Sequence, residues 1–538
     1  MTSKAPTAAA AATASTTVLL TLASGQFLMA LDSSVMNVSI ATVAADLGTS
    51  VTGVQSAITL YTLVMASLMI TGGKVGAIMG RKRAFGLGCI IYAAGSFTTA
   101  IAPNLAVLMI GWSLLEGIGA ALIMPAIVAL IASNFGASER PRAYGLVAAA
   151  GAMAVAVGPL IGGLLTTYAS WRYVFAGEVI LVAGILLMTR RMADAPPDAD
   201  VHLDLVGTLL SAAGLGLVVY GVLRSGTWGF FWAKPGAPVW LGLSPVVWLV
   251  LGGGLVLLGF LNWERRRRHA GKAALIDPAM LENRKLQGGL ISFFFQYLLQ
   301  NGLFFTVPLF LSVALGLSAV ETGWRILPLS LALLITAVGV PRAFPDASPR
   351  RVVKLGFAGL FLGIVTLTMA LEVGVGPEIV TWPMLLAGLG IGALASQLGS
   401  VTVSAVPDEE SAEVGGLQNT ITFLGASVGT ALAGAVLISG LTASFLTEIE
   451  DNPAIPQELS SQAQVDLASG VPFIPDDQLE KALADAGVTG ATAQAVIDAN
   501  EKARLDGLRA SLAVLGVIAL LAMFFSNGIP TRQPGAET

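Results

Sequence analysis

Three carboxyl residues sit where carboxyl groups are expensive. Asp32, Glu116 and Glu178 each fall inside a long apolar stretch of the chain. A charge near mid-bilayer costs at least ~2.5–3.5 kcal/mol on insertion scales, so an acid kept there calls for a function. Without a cationic partner, burial favours the protonated carboxyl. Such a group takes up and releases protons, and its ionised form pairs with a cation. A helical rise of 1.5 Å per residue puts Glu178 about 8 Å from the outer face, Asp32 about 12 Å and Glu116 about 17 Å. Glu116 is the first candidate for a shared proton and cation site. Structural readings stand beside these roles. Asp32 would brace its helix end with Asn37, Glu116 would bond a neighbouring helix in its protonated form, and Glu178 lies near Arg172.

Neutral residues in the same stretches could build a binding cavity. Asn37, Trp112, Gln296, Gln300, Asn301 and Gln397 are the candidates. Polar side chains also join helices in membranes, at about 0.6 kcal/mol each on average. Trp112, Phe304 and Phe305 offer cation–π or apolar surface, or pack against lipid.

The elements that carry these residues follow from composition. The chain has 538 residues, 55% of them hydrophobic and only 12% charged, with a mean hydropathy of +0.79. A soluble enzyme, a disordered protein and a nucleic-acid binder are all disfavoured. Net charge is -4, which gives no general attraction to nucleic acid. The one cysteine, Cys89, makes no intrachain disulfide, and no metal site or cofactor is expected. There is no Walker A pattern, no HExxH and no Ser/His/Asp set. Gly388 to Gly392 has the glycine spacing of a nucleotide loop but lacks the strand context.

A span needs roughly 20 apolar residues. Fourteen blocks qualify, near 17–40, 54–72, 84–101, 105–131, 143–165, 173–190, 205–223, 239–261, 287–311, 323–340, 352–372, 382–405, 415–440 and 508–527. Helices, not barrel strands, fit their length and pattern. The larger share of the 29 Lys and Arg falls in connectors on the side of the N-terminus, so both termini are expected in the cytoplasm. Arg81–Arg83 and Arg265–Arg268 are the strongest inside clusters.

The chain also repeats itself. At an offset of 271 positions, Gly117 meets Gly388, Gly119 meets Gly390, Gly158 meets Gly429 and Gly163 meets Gly434. If spans 1–6 recur as 9–14, spans 7 and 8 are an inserted pair. Parallel halves with a site between them near mid-membrane are a transporter architecture.

Four stretches resemble the major facilitator superfamily, and more narrowly its fourteen-span drug:proton antiporters of the EmrB/QacA type. They are Leu31 to Val38, Gly73–Gly76 with Gly80–Arg83, Gly145 with Gly158-Pro159 and Gly162-Gly163, and Ser170 to Phe175. The resemblance implies an all-α membrane protein of the major facilitator fold. It has fourteen helices in two parallel-repeat six-helix halves plus an inserted pair. It implies a conformational gate at Gly73, Gly80, Arg81, Arg83, Gly158, Pro159, Gly162 and Gly163. It also places spans 1 and 4 on the central cavity. Four positions depart from the family: Ala77 replaces an acid, Ser113 an arginine tied to proton coupling, Glu116 a glutamine, and Ala154 a glycine.

The expected division is a disordered N-terminus 1–16, a first half 17–190, the pair 205–261, a basic linker 262–286, a second half 287–527 with an outside loop 441–507, and a tail 528–538. The expected function is secondary active, proton-coupled export of lipophilic or cationic drugs by alternating access in the cell membrane. The partners are a small-molecule substrate, protons and membrane lipids, with no nucleic acid. Export of a lipid, siderophore or endogenous metabolite is the nearest alternative. A membrane-embedded enzyme is the rival from another class, and it lacks a catalytic constellation.

Overall fold

The computed structural model describes residues 8–135, 140–190, 192, 194, 202–272, 274–406, 411–467 and 470–533. Among them no strand forms. Sixteen helices carry the chain: α1 (Ala8–Asp46), α2 (Val51–Met79), α3 (Arg81–Ala100), α4 (Leu105–Ile131), α5 (Arg140–Tyr168), α6 (Arg172–Thr189), α7 (Leu205–Trp228), α8 (Pro245–His269), α9 (Arg284–Ala314), α10 (Ala319–Ala343), α11 (Pro349–Ala370), α12 (Thr381–Val403), α13 (Ser411–Asp451), α14 (Gln457–Asp466), α15 (Asp476–Asp485) and α16 (Gly490–Phe525). Twelve helices are long and apolar enough to cross a membrane, and the bent α5 makes thirteen. The remaining expected span, 84–101, is the helix α3. Its opening Arg-Lys-Arg and its Ser and Thr residues leave it less apolar than those twelve stretches.

Local chemistry sets the helix ends. Ser50, Asn104, Asp204, Ser244 and Asn283 cap α2, α4, α7, α8 and α9 through side-chain oxygens. Ser318 and Glu321 form a reciprocal capping box on α10. Gly80 separates α2 from α3 at φ +98°, a conformation open to glycine and costly to other residues.

Helices α1–α6 pack on one another, as do α9–α13 with α16. The repeat has a physical counterpart at its glycines. A Cβ on Gly119 would meet Gly88 O and Tyr92 N of α3; one on Gly390 would meet Gly356 O and Leu360 N of α11. Gly117 lies against α2 and Gly388 against α10; Gly158 lies against α1 and Gly429 against α9. Gly163 and Gly434 both reach across the seam between the bundles, to Ala319 and to Gln55. The same small residues therefore allow the same close approaches in each bundle.

Hydrogen bonds cross the seam near the starts of α2 and α10. There Val320 N donates to Thr167, and Gln55 donates to Thr430 O across the α2–α13 pair. Pro159 explains one further link. Lacking an N–H, it leaves the Val155 carbonyl free. That carbonyl accepts from Ser330 Oγ of α10, and α5 bends by 42° just after Val155.

The pair α7–α8 meets through Gly214 and Gly253 and lies where α2 and α13 meet. Thr208 bonds Thr71 of α2, and Gly226 sits on the backbone of Ala435 in α13.

Two terminal regions differ from expectation in extent. Helix α1 is already helical at Ala8, and residues 1–7 lie outside the described residues. The start of the tail is packed on the second half. Ile529 is buried, and its carbonyl and that of Pro530 accept from Arg350. The expected outside loop is largely helix. α13 runs on to Asp451 and α16 starts at Gly490, with α14 and α15 between them. Arg504, buried in α16, holds this segment by donating to Ile474 O and pairing with Asp476. Asp476 therefore opens α15 as an ion-pair partner, and Pro475 holds the cap position.

Candidate functional site: a carboxyl cluster inside the first bundle

The three acids converge. One oxygen from each of Asp32, Glu116 and Glu178 lies within 4.8 Å of the other two, and all three residues are buried. The depth estimate had spread them along the membrane normal. Helix tilt and side-chain reach remove that spread. Glu178 is as much a member as the others.

Each helix brings a specific partner. Asp32 of α1 accepts from Trp112 Nε1 at 2.8 Å and 3.0 Å on its two oxygens. The indole stacks on Tyr61 of α2, with centroids 4.9 Å apart and planes at 9°. Glu178 of α6 accepts from Ser96 Oγ at 3.1 Å and Tyr92 OH at 3.4 Å, both on α3. Glu116 of α4 lies 3.3 Å from Thr99 Oγ1. Two features bring Glu116 there. Helix α4 widens to π-type turns over Met109–Glu116, as helices often do at functional sites. Gly95 of α3 leaves room, since a Cβ on it would stand 2.6 Å from Glu116 Cγ. Among the described residues no Lys, Arg or His pairs with any of the three. Such a set of oxygens can share protons or surround a cation.

The cluster does not face the seam. Asp32 and Ser34 are about 160° apart around α1. Ser34 and Asn37 line a small cavity between the bundles with Pro159, Phe304, Pro308 and Ile326. Asp32 therefore lies on the side of α1 away from these two cavity residues. Trp112 is 1% exposed and donates to Asp32. Gln397 accepts from Gln533 of the tail and is not among the cavity residues. Gln296 is buried in α9 with its Oε1 unpartnered, and Asn301 donates to Tyr297 O one turn back. Gln300 is half-buried on the same helix.

The gate residues divide. Gly158 meets Ser34, Gly162 meets Val35, and Gly163 crosses the seam. Arg81 donates to Gly73 O at 2.8 Å and ties the turn at Gly80. Arg83 is exposed. One residue here escaped sequence reasoning. Gly80 has no side chain to cap α3, and Asp194, beyond α6, does it in trans by accepting from Lys82 N at 2.9 Å. Lys82 Nζ donates to Met192 O at 2.7 Å beside it. Asp194 thus supplies an acid to the turn where Ala77 leaves one out. Nothing in local periodicity marks it, because it lies 112 residues from its partner. Asp194→Ala is expected to cost α3 the ~1 kcal/mol of a lost cap. Amide exchange should quicken at residues 82–84 and stay unchanged in α11. Equal protection in wild type and variant would refute the assignment.

The comparisons with known proteins agree with this architecture. The family model described as Major Facilitator Superfamily matches residues 22–430. The Puromycin resistance protein pur8 of Streptomyces alboniger is 31% identical over 446 residues, covering 81% of this chain and 84% of that protein. The Probable actinorhodin transporter of Streptomyces coelicolor is 28% identical over 452 residues, covering 82% and 74%. The Riboflavin transporter RibZ of Clostridioides difficile is 25% identical over 431 residues, covering 79% and 89%. In fold, the chain is similar to a bacterial homolog of the human lysosomal transporter Spinster, with a TM-score of 0.61 at 15% identity, covering 96% and 98%.

Proposed function

This chain belongs to the Major Facilitator Superfamily, and on that premise we propose that it is a proton-coupled exporter of lipophilic or cationic compounds. Members of the superfamily are multi-pass membrane transporters of small molecules, not enzymes. In this reading α1–α13 and α16 are fourteen spans. They divide into a first half 17–190, an inserted pair 205–261 and a second half 287–527, with both termini in the cytoplasm. The starts of α2 and α10, where hydrogen bonds cross the seam, then face outward.

One observation carries the reading: three carboxyl groups gathered in one bundle without a basic partner. Protons from outside enter the cluster, and protons leave it to the cytoplasm after the carrier turns. The cluster acts through α1. One face of that helix holds Asp32, and the opposite face presents Ser34 and Asn37 to the cavity. A change of protonation that shifts α1 against α4 therefore changes the cavity wall. Coupling runs through helix packing, not through direct competition for one carboxylate. Relatives named for puromycin resistance and actinorhodin transport support drug-like substrates. The riboflavin transporter among the relatives favours a second reading, export of an endogenous metabolite.

The test is ethidium movement in proteoliposomes under an imposed pH gradient. Wild type should move the dye, and Glu116→Gln should do so at least ~10-fold more slowly, the loss of about 1.4 kcal/mol of coupling. Equal gradient-driven rates in the two would remove Glu116 from the coupling. No dye movement in either, with riboflavin moved instead, would favour the metabolite reading.

A further inference from the structure

Among the described residues, only one hydroxyl stands within hydrogen-bond distance of Glu116, that of Thr99. A threonine hydroxyl carries one proton. Thr99 Oγ1 lies 2.9 Å from Gly95 O and 3.3 Å from Glu116 Oε1. The shorter contact takes the proton, so Thr99 presents a lone pair to Glu116. Glu116 must then bring the proton to that contact itself. Its Oε2 has no partner at all.

The other two acids share a smaller deficit. Asp32 has the Trp112 indole on both oxygens, and Glu178 has Ser96 and Tyr92 on Oε2 with nothing on Oε1. Two ionised carboxylates this close, with water excluded, repel too strongly to persist side by side. Tyr61 adds an observation from outside the acidic set. Its hydroxyl is fully buried beside Asp32 and has no geometric hydrogen-bond partner. It marks a polar group turned toward Asp32. The titratable groups that face the cluster are Tyr61 from α2 and Tyr92 from α3. Helix α5 packs on α1 and has none between residues 145 and 167.

We infer that Asp32, Glu116 and Glu178 form one proton site holding two protons at neutral pH, one fixed on Glu116 and one shared between Asp32 and Glu178. Both are exchanged in each export cycle. The occupancy rests on the geometry, and the exchange rests on the proton-coupled reading above. Two protons entering per singly charged substrate leaving would make export electrogenic.

Infrared spectroscopy of the full chain in liposomes at pH 7 reads the occupancy without any substrate. The carbonyl stretch of protonated carboxyl groups should fall by one group in Glu116→Gln and by one group in Glu178→Gln. An unchanged band in both variants would overturn the proposal. So would a wild-type band that grows when N-methylglucamine replaces Na⁺, since a metal cation would then hold the site. Exchange is read in wild type, so it needs no variant to fold. At zero voltage the balanced ethidium gradient should shift about a hundredfold per pH unit. A tenfold shift would overturn the two-proton exchange and keep the exporter. No shift, with the infrared bands as expected, would sink proton-coupled export and keep the proton site.

Discussion

Trp112→Phe should slow gradient-driven export by roughly 10–100-fold, although the residue touches neither cavity nor seam. The indole N–H is the hydrogen-bond donor that Asp32 receives, on both oxygens. Phenylalanine keeps an aromatic ring against Tyr61 but offers no N–H. A buried acceptor stripped of its donor loses about 1–3 kcal/mol, more when charged. The loss falls on the ionised form of Asp32 above all, so the step in which the cluster gives up its protons is the one that suffers. At 1.4 kcal/mol per factor of ten, the expected range follows. Asp32→Asn gives the control, because the asparagine carbonyl needs the indole far less. In the double variant Trp112→Phe should add little to the loss already caused by Asp32→Asn. Additive losses in dye flux would mean that Trp112 works by bulk alone.

The indole also bears on a gap in the sequence motif. Where the resembled family carries an arginine, this chain has Ser113, whose Oγ donates to Ala57 O on α2. The neighbouring Trp112 reaches Asp32 instead. A neutral N–H steadies a carboxylate without adding charge, so the cluster keeps its net negative balance and its need for protons. An arginine in this bundle would neutralise one acid permanently. Serine in place of the arginine and Glu116 in place of a glutamine are thus consistent with one electrostatic design.

How much of this was legible follows from the range of each signal. Long apolar blocks disclose spans because bilayer thickness fixes helix length. The repeat was legible through glycines, because close helix approach admits few other residues. The acids were legible one at a time, from the cost of burying each. Their convergence was not, since it depends on helix tilt and on the π-type turns that rotate Glu116 toward Gly95. The face of α1 on which Asp32 lies was not legible for the same reason. A resemblance assigns a helix to a cavity, but it does not set the rotation of each side chain about that helix. Asp194 and the Gln397–Gln533 pair escaped because their partners are more than a hundred residues away.

Gly323→Val should leave the protein folded and unable to close the seam, whereas Gly388→Val should damage the fold itself. Both glycines face backbone at distances no Cβ tolerates: 2.3 Å to Pro159 O for Gly323, and 2.2 Å to Leu329 O for Gly388. The difference lies in which helices must part. Gly388 joins α12 to α10 within one bundle, a contact that a rigid-bundle motion preserves in every state. Gly323 joins α10 to α5 across the seam, a contact that such a motion must break. Overpacking of this kind costs about 1–3 kcal/mol. Placed on one state of a two-state carrier, that cost shifts the population by roughly 10–100-fold toward the state in which α5 and α10 stand apart. Ethidium export should fall accordingly, with melting temperature nearly unchanged. Labelling of Asn37→Cys in the cavity wall should quicken by a similar factor, and the native Cys89, 2% exposed, should stay silent. Equal melting losses in the two variants would mean that the α5–α10 contact belongs to the permanent core. In that case the carrier would have to open somewhere other than along this seam.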